Sequence, residues 1–133
     1  MPPDSSTSVK LQTAPTQQYQ TVTAYGDGFI EINAIRYESS VLVMPEKAVQ
    51  SWPVGKFDEL SAEHFEQLLA WEPEVIIFGT GQRQRFPRPE WLVPLMPKRI
   101  GVETMDIKAA CRTYNILMSE GRRVLAALLI EKE

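Results

Sequence analysis

The chain has 133 residues, of which 44% are hydrophobic and 23% are charged, and its formal net charge is −3. This length fits one domain, and a domain of this size buries a core without disulfides or a structural metal. One cysteine excludes an internal disulfide, and with a single histidine it is too little for a Cys/His zinc site. The acidic balance disfavours nucleic acid, so we expect no metal, no cofactor and no nucleic-acid partner.

Membrane and targeting signals are not visible in the sequence. The longest uninterrupted apolar run covers residues 124–130, whereas a membrane-spanning helix needs about 20 apolar residues. The amino terminus lacks the basic-then-apolar order of a secretory signal, and it contains Asp4 but no arginine before Arg36, unlike a mitochondrial presequence. We therefore expect a bacterial, cytoplasmic protein that inserts no segment into a membrane.

The amino-terminal segment differs in composition from the rest of the chain. Residues 1–18 are rich in Ser, Thr, Pro and Gln and offer little to bury, so we predict a disordered tail. A single α/β domain is expected to follow over residues 19–133.

The first third of that domain has strand patterns. β-Branched and aromatic residues dominate positions 20–25, and Asp27-Gly28 supplies the positive φ angles that a tight hairpin turn needs. Residues 30–33 alternate apolar and polar side chains, as in a strand that buries one face. The apolar residues 41–44 predict another short strand before a proline. This third is thus predicted to be a β-meander that contains a hairpin.

A helix and a buried strand are predicted next. Ser61 is a favourable N-cap for a helix that extends to about Trp71. Leu60 before the cap and Phe65 after it have the spacing of a hydrophobic staple. Residues 75–78 are apolar on both faces, which is typical of a central parallel strand.

The last part of the chain alternates helices and strands. Pro89 suits the first position of a short helix, and residues 99–104 are predicted to form a strand. Asp106 is predicted to cap a helix that Gly121 ends. Residues 124–130 suit a buried helix by propensity alone, but their shortness and their place in a β-α-β-α series favour a buried strand. The C-terminal half is therefore predicted to be β-α-β-α-β.

The C-terminal half also resembles a known family. The segments that carry the resemblance are Phe78-Gly79-Thr80-Gly81, Gly101-Val102-Glu103-Thr104-Met105-Asp106, Ala109-Ala110-Cys111-Arg112-Thr113-Tyr114-Asn115 and Ser119-Glu120-Gly121-Arg122. They are similar to the small domain-of-unknown-function family that includes the mitochondrial assembly factor 3 of respiratory complex I (NADH dehydrogenase). The resemblance implies a three-layer β/β/α fold with a mixed central sheet, and mitochondrial members that act with partner proteins. It implies no catalytic residues.

A crevice is predicted where the central strand ends. Gly79, Thr80 and Gly81 follow the apolar residues of that strand, where open α/β sheets bind ligands, and exposed backbone N–H groups there can hold an anion. The simpler interpretation is a tight strand exit that needs small residues. Asp106 is a candidate general base beside this crevice, although its role as helix cap is the favoured explanation.

The helix after Asp106 supplies further candidates. Arg112, Thr113 and Asn115 lie on or beside its polar face. If that face lines a groove, these residues can bind a carboxylate or phosphate. If the face points to solvent, they only solvate the helix. Cys111 lies in the apolar stripe, which favours a buried structural thiol over a nucleophile.

A basic loop with an aromatic residue is the candidate for partner binding. It contains Arg83, Arg85, Phe86 and Arg88, and arginine and aromatic residues are enriched in the energetic centres of protein interfaces. The alternative is an exposed, solvated segment.

Two functions from different classes follow from these features. The leading hypothesis is a non-enzymatic binding domain that recognises protein partners in the assembly of a membrane complex. The rival is an enzyme that binds a small molecule or anion in the crevice at Gly79, Thr80 and Gly81. A homo-oligomer is a third hypothesis.

Overall fold

Two β-sheets organise the described part of the chain. The computed structural model describes residues 19–131, so the tail predicted for residues 1–18 lies outside the described residues. Strands β1 (Val22–Gly26), β2 (Phe29–Ile32) and β3 (Ile35–Tyr37) form an antiparallel sheet in that order. Gly28 joins β1 to β2 with a φ of 77°, as the Asp-Gly hairpin pattern predicts.

The second sheet is mixed and has the strand order β5-β4-β8-β6-β7. Its strands are β4 (Val41–Val43), β5 (Gln50–Ser51), β6 (Val75–Gly79), β7 (Gly101–Met105) and β8 (Val124–Leu128). Strand β6 runs parallel to both β7 and β8, whereas β4 is antiparallel to β8 and to β5.

The antiparallel sheet differs from the predicted meander in its third strand. Its third strand is β3, and the strand predicted over residues 41–44 is β4, which pairs with β8 in the other sheet. The pairing joins Val41 to Leu128. A local sequence pattern cannot show a partner so far along the chain.

The helices are short except for one. They are α1 (Ala62–Glu66), α2 (Pro89–Leu92) and α3 (Ile107–Ser119), with 3-10 turns at Phe57–Glu59, Gln67–Trp71 and Val93–Lys98. The helix predicted from Ser61 to Trp71 is thus α-helical for its first part only. It ends at Glu72, whose φ of 53° is left-handed.

Helix α3 begins and ends where the sequence predicts. Asp106 Oδ1 accepts a hydrogen bond of 2.9 Å from the N–H of Ala109, which caps the helix. Gly121 follows the helix with a φ of 80°, a conformation that glycine adopts without steric cost.

The central sheet buries both of its faces. On one face, which we call the α3 face, helix α3 and the three-stranded sheet cover the odd-numbered residues of β6, such as Val75 and Ile77. On the other, the aromatic face, α1, α2 and the 3-10 turns cover Ile76 and Phe78. The predicted α/β class with a mixed central sheet is confirmed, and the ambiguous segment forms strand β8, which is buried throughout.

Candidate functional site

A cleft of about 740 Å³ lies at the carboxyl ends of the parallel strands. The chain leaves β6 toward α2 on the aromatic face, but it leaves β7 toward α3 on the opposite face. A crevice therefore opens between the two connections, at the position where open α/β sheets bind ligands. Its walls are the β1–β2 turn, the loop after β6, the start of α3 and the chain after β8.

Side chains of both charges line this cleft. Its cations are Lys56, Arg83, Arg85 and Lys108, and its anions are Asp27, Asp106 and Glu131. The apolar part of the lining comes mainly from Phe29, Ile107, Leu129 and Ile130. Of the predicted crevice residues, Gly81 and Asp106 line the cleft.

Gly79 and Thr80 do not line the cleft, but they determine the backbone conformation next to it. A Cβ atom on Gly79 would lie 3.0 Å from the Cβ of Ala110 and 3.1 Å from Leu128 Cδ2, so glycine lets α3 approach β6 closely. The Thr80 side chain is fully buried, and its Oγ1 donates to the carbonyl of Arg83 at 2.7 Å and accepts from the N–H of Arg85 at 3.0 Å. Thr80 therefore shapes the loop after β6.

Arg85 is held by several contacts at one wall of the cleft. Its Nη2 donates to the carbonyl of Thr80 at 2.7 Å and to Glu131 Oε1 at 2.6 Å. Its guanidinium lies 4.4 Å from the centre of the Phe57 ring. These contacts fix Arg85 to the body of the protein, which leaves it little freedom to meet a partner.

Glu131 completes this cluster. Its Oε2 accepts a hydrogen bond of 2.9 Å from the N–H of Phe57. Burial acts to raise the pKa of Glu131, but this hydrogen bond and the charges of Arg85 and Arg83 outweigh it and hold the pKa below its ordinary value. The carboxylate is thus ionised and committed to its own neighbours.

Three predicted residues of α3 lie outside the cleft lining. Arg112 Nη1 donates to the Tyr25 hydroxyl at 3.0 Å. Asn115 forms two hydrogen bonds with the backbone of Val22, because its Nδ2 donates to the carbonyl at 2.8 Å and its Oδ1 accepts from the N–H at 3.0 Å. Thr113 is half-buried on the same helix. Arg112 and Asn115 thus join α3 to the three-stranded sheet.

Cys111 and His64 lie on opposite faces of the central sheet, since Cys111 belongs to the core of the α3 face and His64 packs against Trp52 on the aromatic face. Cys111 is fully buried, and burial raises the pKa of its thiol to about 12. His64 Nδ1 accepts a hydrogen bond of 3.1 Å from the N–H of Ser61 at the start of α1. The arrangement supplies no base for a cysteine nucleophile.

Two cations of the cleft have free charged groups. Across residues 19–131, neither Lys56 Nζ nor the Arg83 guanidinium has an ion pair or a hydrogen bond within the protein. Lys108 is 3.9 Å from Asp27, and both side chains are more than half exposed, so this pair is weak.

A second surface lies on the segment 86–98, which we call the 86–98 surface. Phe86 is 76% exposed, Met96 69% and Val93 55%. Val93 and Met96 are three residues apart in a 3-10 turn, so they share one face of it. The Arg88 guanidinium lies 5.8 Å from the centre of the Trp91 ring.

Neither a cluster of metal ligands nor a membrane-spanning helix occurs among the described residues. Residues 19–131 contain no group of three or more His, Cys, Asp or Glu side chains placed to hold a metal ion. In the same part of the chain, no helix combines the length and the apolar character needed to cross a bilayer.

The sequence patterns missed several residues of these two surfaces. Lys56, Lys108 and Glu131 belong to three distant segments, and they meet only at the sheet edge. Val93 and Met96 look like core positions in an apolar run, and only the turn geometry shows them exposed. No local signal in the sequence identifies either set.

Comparison with known proteins places the chain in a family. The sequence model of a family described as protein of unknown function (DUF498/DUF598) matches residues 22–129. The chain belongs to that family. The resemblance that the C-terminal segments indicate is confirmed, because the chain is 31% identical over 124 residues to the NADH dehydrogenase [ubiquinone] 1 alpha subcomplex assembly factor 3 of Bos taurus. The match covers 92% of this chain but only 66% of that protein.

Solved structures of similar proteins have the same fold. A crystal structure of a protein from Bordetella parapertussis is 47% identical, with a TM-score of 0.83, and the match covers 88% of this chain and 100% of that one. A Mth938-like domain from Bordetella pertussis is 40% identical, with a TM-score of 0.78, over 93% of this chain and 94% of that one.

Proposed function

We propose that this member of the DUF498/DUF598 family is a non-enzymatic binding domain that acts in the assembly of a respiratory membrane complex by recognising a protein partner. The name of the bovine relative as an assembly factor supports this role. The chain spans about two-thirds of that relative, so the role is assigned here to the shared domain only.

The observation that carries the proposal is the concentration of exposed apolar side chains on the 86–98 surface. Six large hydrophobic residues are exposed among those described, and Phe86, Val93 and Met96 supply three of them within this one segment. Grouped apolar exposure is typical of interaction sites, whereas scattered exposed residues need no explanation.

The charge of the same surface indicates the chemistry of the partner. Arg88 and Lys98 are exposed beside the apolar side chains, and Glu90 is the one acidic residue of the segment. Arginine and aromatic residues contribute strongly to protein interfaces. We therefore expect the partner to present a surface with both acidic and apolar side chains.

The contacts of the basic loop divide its predicted residues between two surfaces. Arg83 and Arg85 line the cleft, and Arg85 is held by Glu131. Phe86 and Arg88 belong to the 86–98 surface. A charge reversal at Arg85 would disturb the loop itself, so the test of partner binding uses the other residues.

Affinity capture with two matched double variants tests the proposal. In Phe86→Ser/Met96→Ser, the 86–98 surface loses two apolar groups that are exposed, so folding is retained. Ile35→Ser/Ile116→Ser changes two exposed apolar residues elsewhere, which are 58% and 56% exposed. The tagged proteins are incubated with detergent-solubilised membranes, and the bound proteins are quantified by mass spectrometry.

The first double variant is expected to lose about 90% or more of the captured partner, because removal of an interface centre costs about 2 kcal/mol or more. The control pair should capture as much as the unmodified chain. Equal capture by both variants would remove the 86–98 surface from the proposal, and capture of no respiratory-complex protein by any form would remove the assembly role.

A further inference from the structure

The cleft at the carboxyl ends of β6 and β8 has the dimensions of a small-molecule pocket. Its volume of about 740 Å³ lies within the range of roughly 300–1,000 Å³ that ligand pockets occupy. It also occupies the crevice between two connections that leave the sheet on opposite faces. None of its lining residues belongs to the 86–98 surface, so the cleft requires a separate explanation.

The acidic side chains of the cleft are already engaged. Asp106 accepts from the N–H of Ala109, and Glu131 accepts from Arg85 and from the N–H of Phe57. Asp27 is 87% exposed at the rim. Asp106 uses one carboxylate oxygen in these contacts and Glu131 uses both, so Glu131 is the acid least available to a cationic ligand.

The start of α3 is engaged in the same way. Asp106 occupies the N–H of Ala109, and the N–H of Ile107 donates to the carbonyl of Gly81 at 2.7 Å. A bound anion would have to displace these contacts. The N–H of Lys108 has no hydrogen bond within residues 19–131, so this group and the side-chain cations remain available to an anion.

Lys56 and Arg83 are those cations. Both line the cleft, and neither charged group has a partner within residues 19–131. The charge of Arg83 also helps to hold the pKa of Glu131 below its ordinary value. Long flexible side chains of this type can adjust to the position of a bound anion.

Part of the cleft lining is apolar. Phe29 is half-buried and Ile107 is 7% exposed, and both contribute to the lining. Gly81 keeps the cleft open, because a Cβ atom there would lie 3.1 Å from Arg85 Nη2 and 3.2 Å from Glu131 Oε1. A molecule that fits this site has an apolar part as well as a charged one.

We propose that the cleft binds a small organic anion whose carboxylate or phosphate pairs with Lys56 and Arg83 while its apolar part lies against Phe29 and Ile107. The pairing with arginine is directional, and the apolar part of the lining favours an organic anion over a bare inorganic one. This site is independent of partner binding, so either proposal can fail without the other.

Nuclear magnetic resonance titration of the backbone amides tests the proposal. The probes are phenyl phosphate, benzoate and inorganic phosphate, each added to the full chain at constant ionic strength set with chloride. Saturable shifts are expected at Gly81, Ile107 and Glu131 with the two aromatic anions, and weaker binding with inorganic phosphate. Comparison of phenyl phosphate with benzoate shows which anionic group the site prefers.

Two double variants show whether the predicted cations bind the probes. Lys56→Met/Arg83→Gln is expected to reduce the affinity by about tenfold or more, since each cation contributes a charge-assisted contact. Lys47→Met/Arg99→Gln removes two exposed cations outside the cleft and is expected to leave the affinity unchanged. Neither Lys56 nor Arg83 supports the fold through a side-chain ion pair, so the first variant should fold normally, which its amide spectrum checks.

The proposal is overturned if no probe produces saturable shifts at the cleft, or if both double variants bind the aromatic anions as tightly as the unmodified chain. A similar loss in both variants would also overturn it, because it would show a general electrostatic effect and not a site.

Discussion

The two faces of the central sheet are covered by different elements and are packed with different side chains. The α3 face is mostly aliphatic and is closed by one helix of 13 residues together with the three-stranded sheet. The aromatic face packs Trp52, Phe65, Phe78 and Trp91 against short helices and 3-10 turns. Where one long helix supplies a regular stripe, small side chains suffice, whereas short elements need large rings to fill the space between them.

This difference between the two faces affects which side chains remain exposed. The short elements of the aromatic face continue into the 86–98 surface, where Val93 and Met96 remain exposed. The long helix of the α3 face instead uses its polar side chains to hold the three-stranded sheet, through Asn115 and Arg112. We infer that both faces contribute to stability, whereas partner recognition depends on the elements of the aromatic face.

The largest predicted effect is on the aromatic face. Phe65 is fully buried, and its ring lies 5.4 Å from that of Phe78 and 6.2 Å from that of Trp91. Phe65→Ala is expected to lower the free energy of unfolding by about 3–5 kcal/mol, because it leaves a cavity among rings that cannot close around it. Urea denaturation measures the loss.

The conservative variant sharpens this prediction. Phe65→Leu keeps most of the buried volume and should cost about 1–2 kcal/mol. A loss below about 1 kcal/mol for Phe65→Ala would show that the ring cluster contributes little and that the two faces do not differ as described.

The next effect concerns the polar link on the α3 face. Asn115→Ala removes both hydrogen bonds to Val22, across 93 positions of the chain, and leaves a buried backbone N–H and carbonyl without them. The expected loss is about 2 kcal/mol, with faster hydrogen exchange at the Val22 amide. Thr113→Ala on the same helix is the control and should change stability by less than about 1 kcal/mol. Unchanged exchange at Val22 would contradict the link.

A smaller effect is predicted for Glu131 and depends on pH. Its folded pKa is lowered, so its contribution is complete above its unfolded pKa and is lost as the pH falls through its folded pKa. Glu131→Gln is expected to reduce the free energy of unfolding by about 1 kcal/mol near neutral pH. Below the ordinary value of 4.5 the two proteins should converge, and parallel pH profiles of stability would contradict the contact.

The smallest expected effect is in the reactivity of the Cys111 thiol toward a disulfide reagent. Because burial raises the pKa of its thiol to about 12, the native protein should barely react with an aromatic disulfide reagent near pH 8. The thiol should react fully in concentrated urea. Rapid labelling of the native chain would show that the α3 face opens far more readily than its packing indicates.

The fold was largely predictable where one segment contains its own signals. Asp106 and Gly121 mark the ends of α3, and the buried strand β8 follows from its place in the alternating series. The pairing of β4 with β8 was not predictable, because it depends on a distant partner. The change from α-helix to 3-10 turn at Gln67 likewise depends on tertiary packing and not on propensity.

The candidate sites were less accessible to prediction. Gly81 and Asp106 were expected beside a crevice and do line the cleft, but Thr80 and Asn115 are occupied by backbone contacts that only the structure shows. The cation Lys56 precedes the 3-10 turn Phe57–Glu59, whereas Lys108 lies in the first turn of α3. Their roles, and those of Arg83 and Phe86, stay predictions until binding is measured.

Site-specific photo-crosslinking compares the two faces most directly. A photoreactive residue replaces either Val93 on the 86–98 surface or Ile116 on α3, two positions that are 55% and 56% exposed and so equally open to a partner. After irradiation with solubilised membranes, the Val93 position is expected to yield a discrete adduct with a respiratory-complex protein, and the Ile116 position none. Equal adducts at both positions, or an adduct at Ile116 alone, would contradict partner recognition by the 86–98 surface.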